Sequence, residues 1–225
     1  MKLRHELKYY INKADYLIIK NRIKHVASQD KNADKNGEYM IRSLYFDNYK
    51  DKALIEKLTG VNKRSKFRIR FYNNDASFIK LEKKSKINGL CHKVSAPITK
   101  EQCEKILKGD IDFLKESEHM LFKELYVKMK TEVLRPKTIV DYIREAYVFE
   151  VGNVRITFDK SIKTGITSTD MFDNNLPTIE SLDNRYIILE VKFDEFLPEI
   201  ISDVIQTNER RNSSISKYVL CRAYN

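Results

Sequence analysis

Basic residues recur at every second position in several segments, a spacing that puts them on one face of an extended strand. In Lys66-Phe67-Arg68-Ile69-Arg70-Phe71 the cations fall on one side and the apolar residues on the other. Residues 78–84 set Lys80, Glu82 and Lys84 against Ile79 and Leu81. Residues 186–193 set Ile188, Glu190 and Lys192 against Ile187, Leu189, Val191 and Phe193. Near the start, Arg4, Glu6, Lys8 and Tyr10 oppose His5, Leu7 and Tyr9. Tyr142 shares a face with Arg144, and Arg155 shares one with Thr157 and Asp159. A guanidinium fork matches the oxygens of a phosphate, so rows of Arg and Lys on successive strands suit the binding of a phosphorylated anion.

A solvated polar face is the ordinary explanation for any one such strand, because antiparallel sheets commonly turn one side to water. Six strands with the same basic character point instead to a shared ligand. Two arrangements satisfy the pattern. One is an open basic sheet; the other is a closed barrel with charged faces inward and apolar faces covered by helices. So many like charges inside a barrel would require water, counterions and an anionic ligand.

Composition narrows the field. The chain has 225 residues with 42 Lys and Arg, 32 Asp and Glu and a net charge of +10, which favours an anionic partner. Its 42% hydrophobic content, with 13 Tyr and 11 Phe, excludes a mainly disordered polymer. No apolar run is long enough to span a bilayer, and the charged opening is not that of a signal peptide. Three cysteines without CxxC spacing argue against a disulfide frame or structural zinc, so a cytoplasmic location is expected. His5, His25, His92 and His119 share no ligand spacing, and Cys103 and Cys221 read as core. Aromatic residues could stack on bases, but in residues 66–71 they lie opposite the cations, which suits packing better than nucleic-acid binding.

The elements that must position these residues follow from periodicity. Strands are expected at 4–11, 39–47, 66–72, 78–84, 91–96, 138–148, 154–159 and 186–193, with 165–172 as a further candidate. Asn12 can cap a helix reaching Ala27, and Thr99 with Gln102 forms a capping-box pattern for a helix closed by Gly109. Residues 112–129 read as one helix, Pro198 starts another over 199–206, and Ser213 or Ser214 caps a last one through Ala223. With 6 Gly and 4 Pro and no linker, the chain reads as one α+β domain over residues 1–225.

The ordered set of motifs resembles the catalytic domain of the vacuolar transporter chaperone (VTC) family. It comprises Arg4-His5-Glu6-Leu7-Lys8-Tyr9, Ser43-Leu44-Tyr45-Phe46-Asp47-Asn48, residues 66–72, Leu81-Glu82-Lys83-Lys84 and Lys93. Tyr142-Ile143-Arg144-Glu145-Ala146-Tyr147, Arg155-Ile156-Thr157-Phe158-Asp159, Leu189-Glu190-Val191-Lys192 and Ser216-Lys217-Tyr218 complete it. The wider superfamily opens with Glu-x-Glu-x-Lys; Arg4 stands here at its first position. The resemblance implies the triphosphate tunnel metalloenzyme fold, an antiparallel eight-stranded β-tunnel with helices packed outside. It further implies a polyphosphate polymerase-like enzyme that moves the γ-phosphate of a nucleoside triphosphate onto polyphosphate. Hydrolysis of tripolyphosphate, or binding of polyphosphate or nucleic acid without turnover, are the alternatives. On this basis Lys8, Arg68, Arg70, Lys84, Lys93, Arg144, Arg155 and Lys217 are assigned to phosphate oxygens, with Arg68, Arg70 and Lys217 also holding the nucleotide. Tyr142 is assigned a hydrogen bond to the ligand. Glu190 is the expected ligand for Mn²⁺ or Mg²⁺, with Glu82 and Glu6 as further candidates that could instead pair with neighbouring lysines. Any coupling to membrane transport would need a separate membrane partner.

Overall fold

Period-two alternation is realised as eight long antiparallel strands. A computed structural model describes residues 3–206 and 210–223. The chain runs β1 (His5–Asn12), α1 (Lys13–Ile23), β2 (Ser28–Gln29), β3 (Glu38–Asp47), α2 (Lys52–Leu58), β4 (Lys63–Tyr72), β5 (Asp75–Ile87) and β6 (Leu90–Ile98). It continues through α3 (Lys100–Lys108), α4 (Asp112–Glu116), α5 (Met120–Thr131), β7 (Arg135–Phe149), β8 (Val154–Thr164), β9 (Ile179–Glu180), β10 (Tyr186–Phe193), α6 (Glu199–Ile205) and α7 (Lys217–Arg222). The main sheet has the order β1-β10-β8-β7-β3-β4-β5-β6, and the short β2 and β9 attach to β7 and β8. Its two edges do not join in a continuous ladder. They meet at one bridge, where Arg4 and Cys91 exchange two backbone hydrogen bonds of 2.9 Å.

The apolar faces fix which side of the sheet turns outward. Phe67, Ile69, Phe71, Leu81 and Ala96 pack against Cys103, Ile106, Leu121, Phe122 and Leu125 of α3 and α5. On the other side of the molecule, Ile156, Phe158, Leu189 and Val191 pack against Ile19 and Ile23 of α1 and Ile201 and Ile205 of α6. Burying each Phe, Ile, Leu or Val side chain of these layers stabilises the fold by about 1.5–3 kcal/mol. A one-residue slip in β4 would push Arg68 and Arg70 into this layer, so register is strongly set. The charged faces are thereby forced inward. Toward one end of the interior, Tyr45, Val140, Ile162 and Ile188 meet Ile215, Tyr218 and Cys221, so the α7 region packs into the tunnel itself.

Local signals place most helices. Asn12 and Asp15 form a reciprocal capping box on α1, and Thr99 and Gln102 form another on α3. Gly109 closes α3 at φ 84°, a conformation that costs glycine little. Four expectations need correction. α1 ends at Ile23, with Lys24 as its C-cap, and does not reach Ala27. Residues 165–172 form turns rather than a strand, with Ile166 at φ 56°, and the short β9 pairs with β8 instead. The helix expected over 112–129 breaks at Ser117, whose ψ of 139° is extended, and α5 restarts after His119 accepts a hydrogen bond from the Leu121 amide. The last helix begins at Lys217 with Ser216 as its cap, later than Ser213 or Ser214. Among the described residues no helix is long and apolar enough to cross a membrane.

Candidate functional site

The inward faces enclose a cavity of about 710 Å³. Twelve Lys and Arg side chains line it, against two carboxylates, Asp75 and Glu190. All nine residues expected to contact phosphate are on its wall: Lys8, Arg68, Arg70, Lys84, Lys93, Tyr142, Arg144, Arg155 and Lys217. They come from β1, β4, β5, β6, β7, β8 and α7, so almost every strand contributes.

The arginines are held rigidly. Arg70 donates to Ser43 Oγ at 2.8 Å and to Tyr142 Oη at 2.9 Å. Arg68 grips Glu82 through Nε at 2.7 Å and donates to Tyr45 Oη at 2.8 Å. Arg144 makes a bidentate pair with Asp159, at 2.7 and 2.8 Å, and Lys217 reaches the same carboxylate. Arg155 bonds Asp30 and, at 2.8 Å, Tyr39 Oη. Such pairs fix the direction of the remaining N–H groups, which is what recognition of a tetrahedral anion needs. Tyr142 also sits beneath the Lys217 ammonium, 4.8 Å from its ring centre. Its hydroxyl accepts from Arg70, so its first role here is to position that guanidinium.

The three candidate metal carboxylates differ. Glu190 lines the cavity, with Lys192 at 2.5 Å and Lys8 at 3.3 Å. Glu6 is bound by Lys84 at 2.6 Å, Lys8 at 3.3 Å and Lys192 at 3.6 Å. Glu82, with its side chain 1% exposed, is held by Arg68 and, at 3.2 Å, by Lys93. Glu6 and Glu82 do not line the main cavity. Burial would raise all three carboxyls. The lysines beside Glu190, the arginines beside Glu82, and Lys84 and Lys8 beside Glu6 outweigh it and hold each below the usual carboxylate range. Asp159 is likewise held down by Arg144 and Lys217. Among the described residues no three of His, Cys, Asp and Glu form a metal cage. Mg²⁺ needs none when a ligand brings phosphate oxygens, since it binds through one or two carboxylates and keeps waters. An ionised Glu190 on the cavity wall fits that requirement; Glu6 and Glu82 fit an ion-pairing role.

Some of the cations lack a carboxylate. Among the described residues Lys66 donates only to Ser216 Oγ, at 3.4 Å, and otherwise faces the rings of Tyr45 and Tyr218 at 4.9 and 5.7 Å. Burial and the nearby Lys84, Lys8 and Arg68 push its ammonium down to about 7, with Tyr45 opposing. Burial also pushes Lys192 down to about 8 despite Glu190 and Glu6. Lys80 stacks on Phe78 at 4.6 Å. Lys66, Lys80 and Lys192 belong to the wall although sequence reasoning gave them no role; they share the alternating faces that located Arg68, Lys84 and Glu190. Tyr39, Tyr45 and Ser216 also line the cavity. Tyr39 and Tyr45 sit at even spacing on β3, a signal available in the sequence. Ser216 gave only its place beside Lys217.

The comparisons agree with this geometry. A family model described as the VTC domain matches residues 3–224. A candidate adenylate cyclase from Bacillus halodurans has a similar solved structure, with a TM-score of 0.50 at 12% identity, covering 90% of this chain and 86% of that one. A conserved hypothetical protein from Pyrococcus furiosus follows at TM-score 0.45 and 14% identity, and a protein from Pyrococcus horikoshii at 0.41 and 15%. Each covers 90% of this chain and is covered over 85% of its own length. The first likeness supports the tunnel fold, and the other two are too distant to add to it. No curated protein matches the sequence significantly.

Proposed function

The chain belongs to the VTC domain family, and we propose that it transfers the γ-phosphate of a nucleoside triphosphate to a polyphosphate chain inside its tunnel. One observation carries this reading: among the described residues, a twelve-to-two excess of cations over carboxylates lines a deep, strand-walled cavity open to solvent on part of its surface rather than a flat face. A duplex cannot enter such a space, whereas a linear polyanion can. Phe67 and Phe71 of β4 lie in the helix-covered layer, so these two offer no stacking platform for bases.

In the proposed reaction a terminal phosphate oxygen of the acceptor chain attacks the γ-phosphorus. A new P–O–P linkage forms, the bond from the γ-phosphorus to the β–γ bridging oxygen breaks, and nucleoside diphosphate leaves. No side-chain nucleophile is needed, so the protein contributes positioning and charge stabilisation. Arg68, Arg70 and Lys217 would hold the reacting phosphates, while Lys8, Lys84, Lys93, Arg144 and Arg155 would keep the flanking phosphates in line. Glu190 would hold Mg²⁺ or Mn²⁺ together with ligand oxygens. When bound, the ion would neutralise charge on the departing diphosphate. Three buried free cysteines fit a reducing, cytoplasmic setting.

The test incubates purified protein with ATP and Mn²⁺ and resolves the products on a gel. A phosphate ladder accompanied by ADP supports the proposal. Orthophosphate released from tripolyphosphate without a ladder would replace it with hydrolysis. Tight polyphosphate binding with neither product would replace it with a binding module.

A further inference from the structure

A second, smaller cavity lies against the tunnel wall, with a volume of about 90 Å³, room for a phosphoryl group and too little for a nucleoside. It shares Lys8, Lys66, Lys84, Cys91 and Ser216 with the main cavity, so the two adjoin along these side chains. Its remaining cations are Lys57 on α2, Arg64 on β4 and Lys86 on β5. The floor is the segment 213–216, tied to β1 where the Ser213 amide donates to Lys8 O at 2.8 Å and Asn212 Oδ1 accepts from the Lys8 amide at 3.0 Å.

Six cations face one carboxylate, Glu6, which is already engaged by Lys84, Lys8 and Lys192. Lys57 donates to Ser214 O at 2.9 Å and to its hydroxyl, and Arg64 donates to Val61 O. Among the described residues, neither of these, nor Lys66 or Lys86, has a carboxylate within ion-pair distance. Lysines on a merely solvated face would spread apart into water. Here four uncompensated cations and the hydroxyls of Ser214 and Ser216 converge on one small space. Burial and the fields of Arg64, Lys8 and Lys86 push Lys57 down to about 8, with Glu6 opposing.

We propose that this side cavity binds a single phosphoryl group next to the tunnel, an inference that rests on the tunnel's holding a phosphate chain. The group is either the end of a chain that passes between Lys66 and Lys84 or a free orthophosphate. The site's own cations, Lys57, Arg64 and Lys86, lie outside the set of residues assigned to phosphoryl transfer, whereas Lys8 and Lys84 are shared with that set. It would add grip to long chains, or sense free phosphate, without touching the reacting atoms.

The experiment compares the full chain with its Lys57→Gln/Lys86→Gln variant by calorimetric titration with orthophosphate, tripolyphosphate and a long polyphosphate. Removing two repelling cations should leave the fold intact, which a melting curve at or above that of the unaltered protein verifies; Arg64→Gln serves as an independent variant. Weaker long-chain binding, by on the order of ten- to a hundredfold, with unchanged tripolyphosphate binding supports a threaded chain end. Loss of a separate orthophosphate isotherm, with both chain affinities unchanged, supports a free-phosphate site. Unchanged binding of all three ligands, or a proportionate loss of all three as a general field would give, overturns the proposal. Failure of the tunnel reading looks different: tripolyphosphate would then fail to bind the unaltered protein, or would bind Arg70→Ala equally well.

Discussion

Lys66 offers the most quantitative test of the tunnel's electrostatics. Its ammonium is held down to about 7. At pH 8 it would therefore carry about 0.1 of a proton's charge, and at pH 6 about 0.9. A phosphate chain beside it supplies the missing counter-charge and returns it toward the ordinary lysine value of about 10.4. Binding should then draw about 0.9 proton onto Lys66 at pH 8, but only about 0.1 at pH 6. The assay is titration calorimetry with tripolyphosphate in buffers of different ionisation enthalpy, repeated on Lys66→Met. The difference between the two proteins cancels the ligand's own titration and that of Lys192, leaving the Lys66 contribution. A difference of zero at pH 8, or one equal at both pH values, would refute the reasoning. The same shift has a stability consequence. Because the folded value lies below the unfolded one, the unfolded chain binds more protons between about pH 7 and 10. Without added phosphate ligand, the protein should accordingly gain stability relative to Lys66→Met as pH rises through that window.

Three further outcomes are expected. Arg70→Ala and Lys217→Ala should each lower phosphoryl transfer by at least about a hundredfold with the fold retained by circular dichroism, since each removes a positive donor fixed on the cavity wall. Glu190→Gln should abolish transfer yet keep or tighten tripolyphosphate binding in the absence of metal, because it deletes a negative charge from the wall; weakened metal-free binding would argue against this placement. Glu6, Glu82 and Glu190 are all held below the normal carboxylate range, so the stability they contribute is present above the unfolded value of about 4.3 and lost as pH falls further. Melting temperatures measured from pH 6 to pH 3 should therefore drop most steeply in the acidic part of the range.

The sequence revealed the tunnel where chemistry alternates along a single strand. Lys66, Arg68 and Arg70 oppose Phe67, Ile69 and Phe71, and that opposition alone separates the cavity wall from the helix-packing layer. The pattern was silent about contacts between strands distant in sequence. Glu6 meets Lys84 across the seam between the sheet's edges, a pairing no local spacing encodes. Asp159 serves both Arg144 and Lys217, so α7 completes a pair made by β7 and β8. Local reading failed where tertiary contacts overrode propensity. Residues 165–172 carry a strand-like composition, but part of the segment packs on the sheet's outer face: Met171 O and Asp173 O accept from Arg42, and Phe172 stacks on Phe71. The late start of α7 follows from Ile215 and Ser216, which are buried at the tunnel's end before the helix begins.

The pairing of β1 with β10 governs the order in which a ribosome can deliver the parts of the site. Lys8 lies opposite Glu190 in that ladder, and Lys217 comes later still. Until those residues emerge, the nascent chain presents the cationic faces of β1, β4 and β5 without the carboxylate that Lys8 meets on β10. Long-range closure of this kind is slow. During that interval the unfinished sheet would attract the polyanions of its surroundings, including the RNA of the translating particle itself.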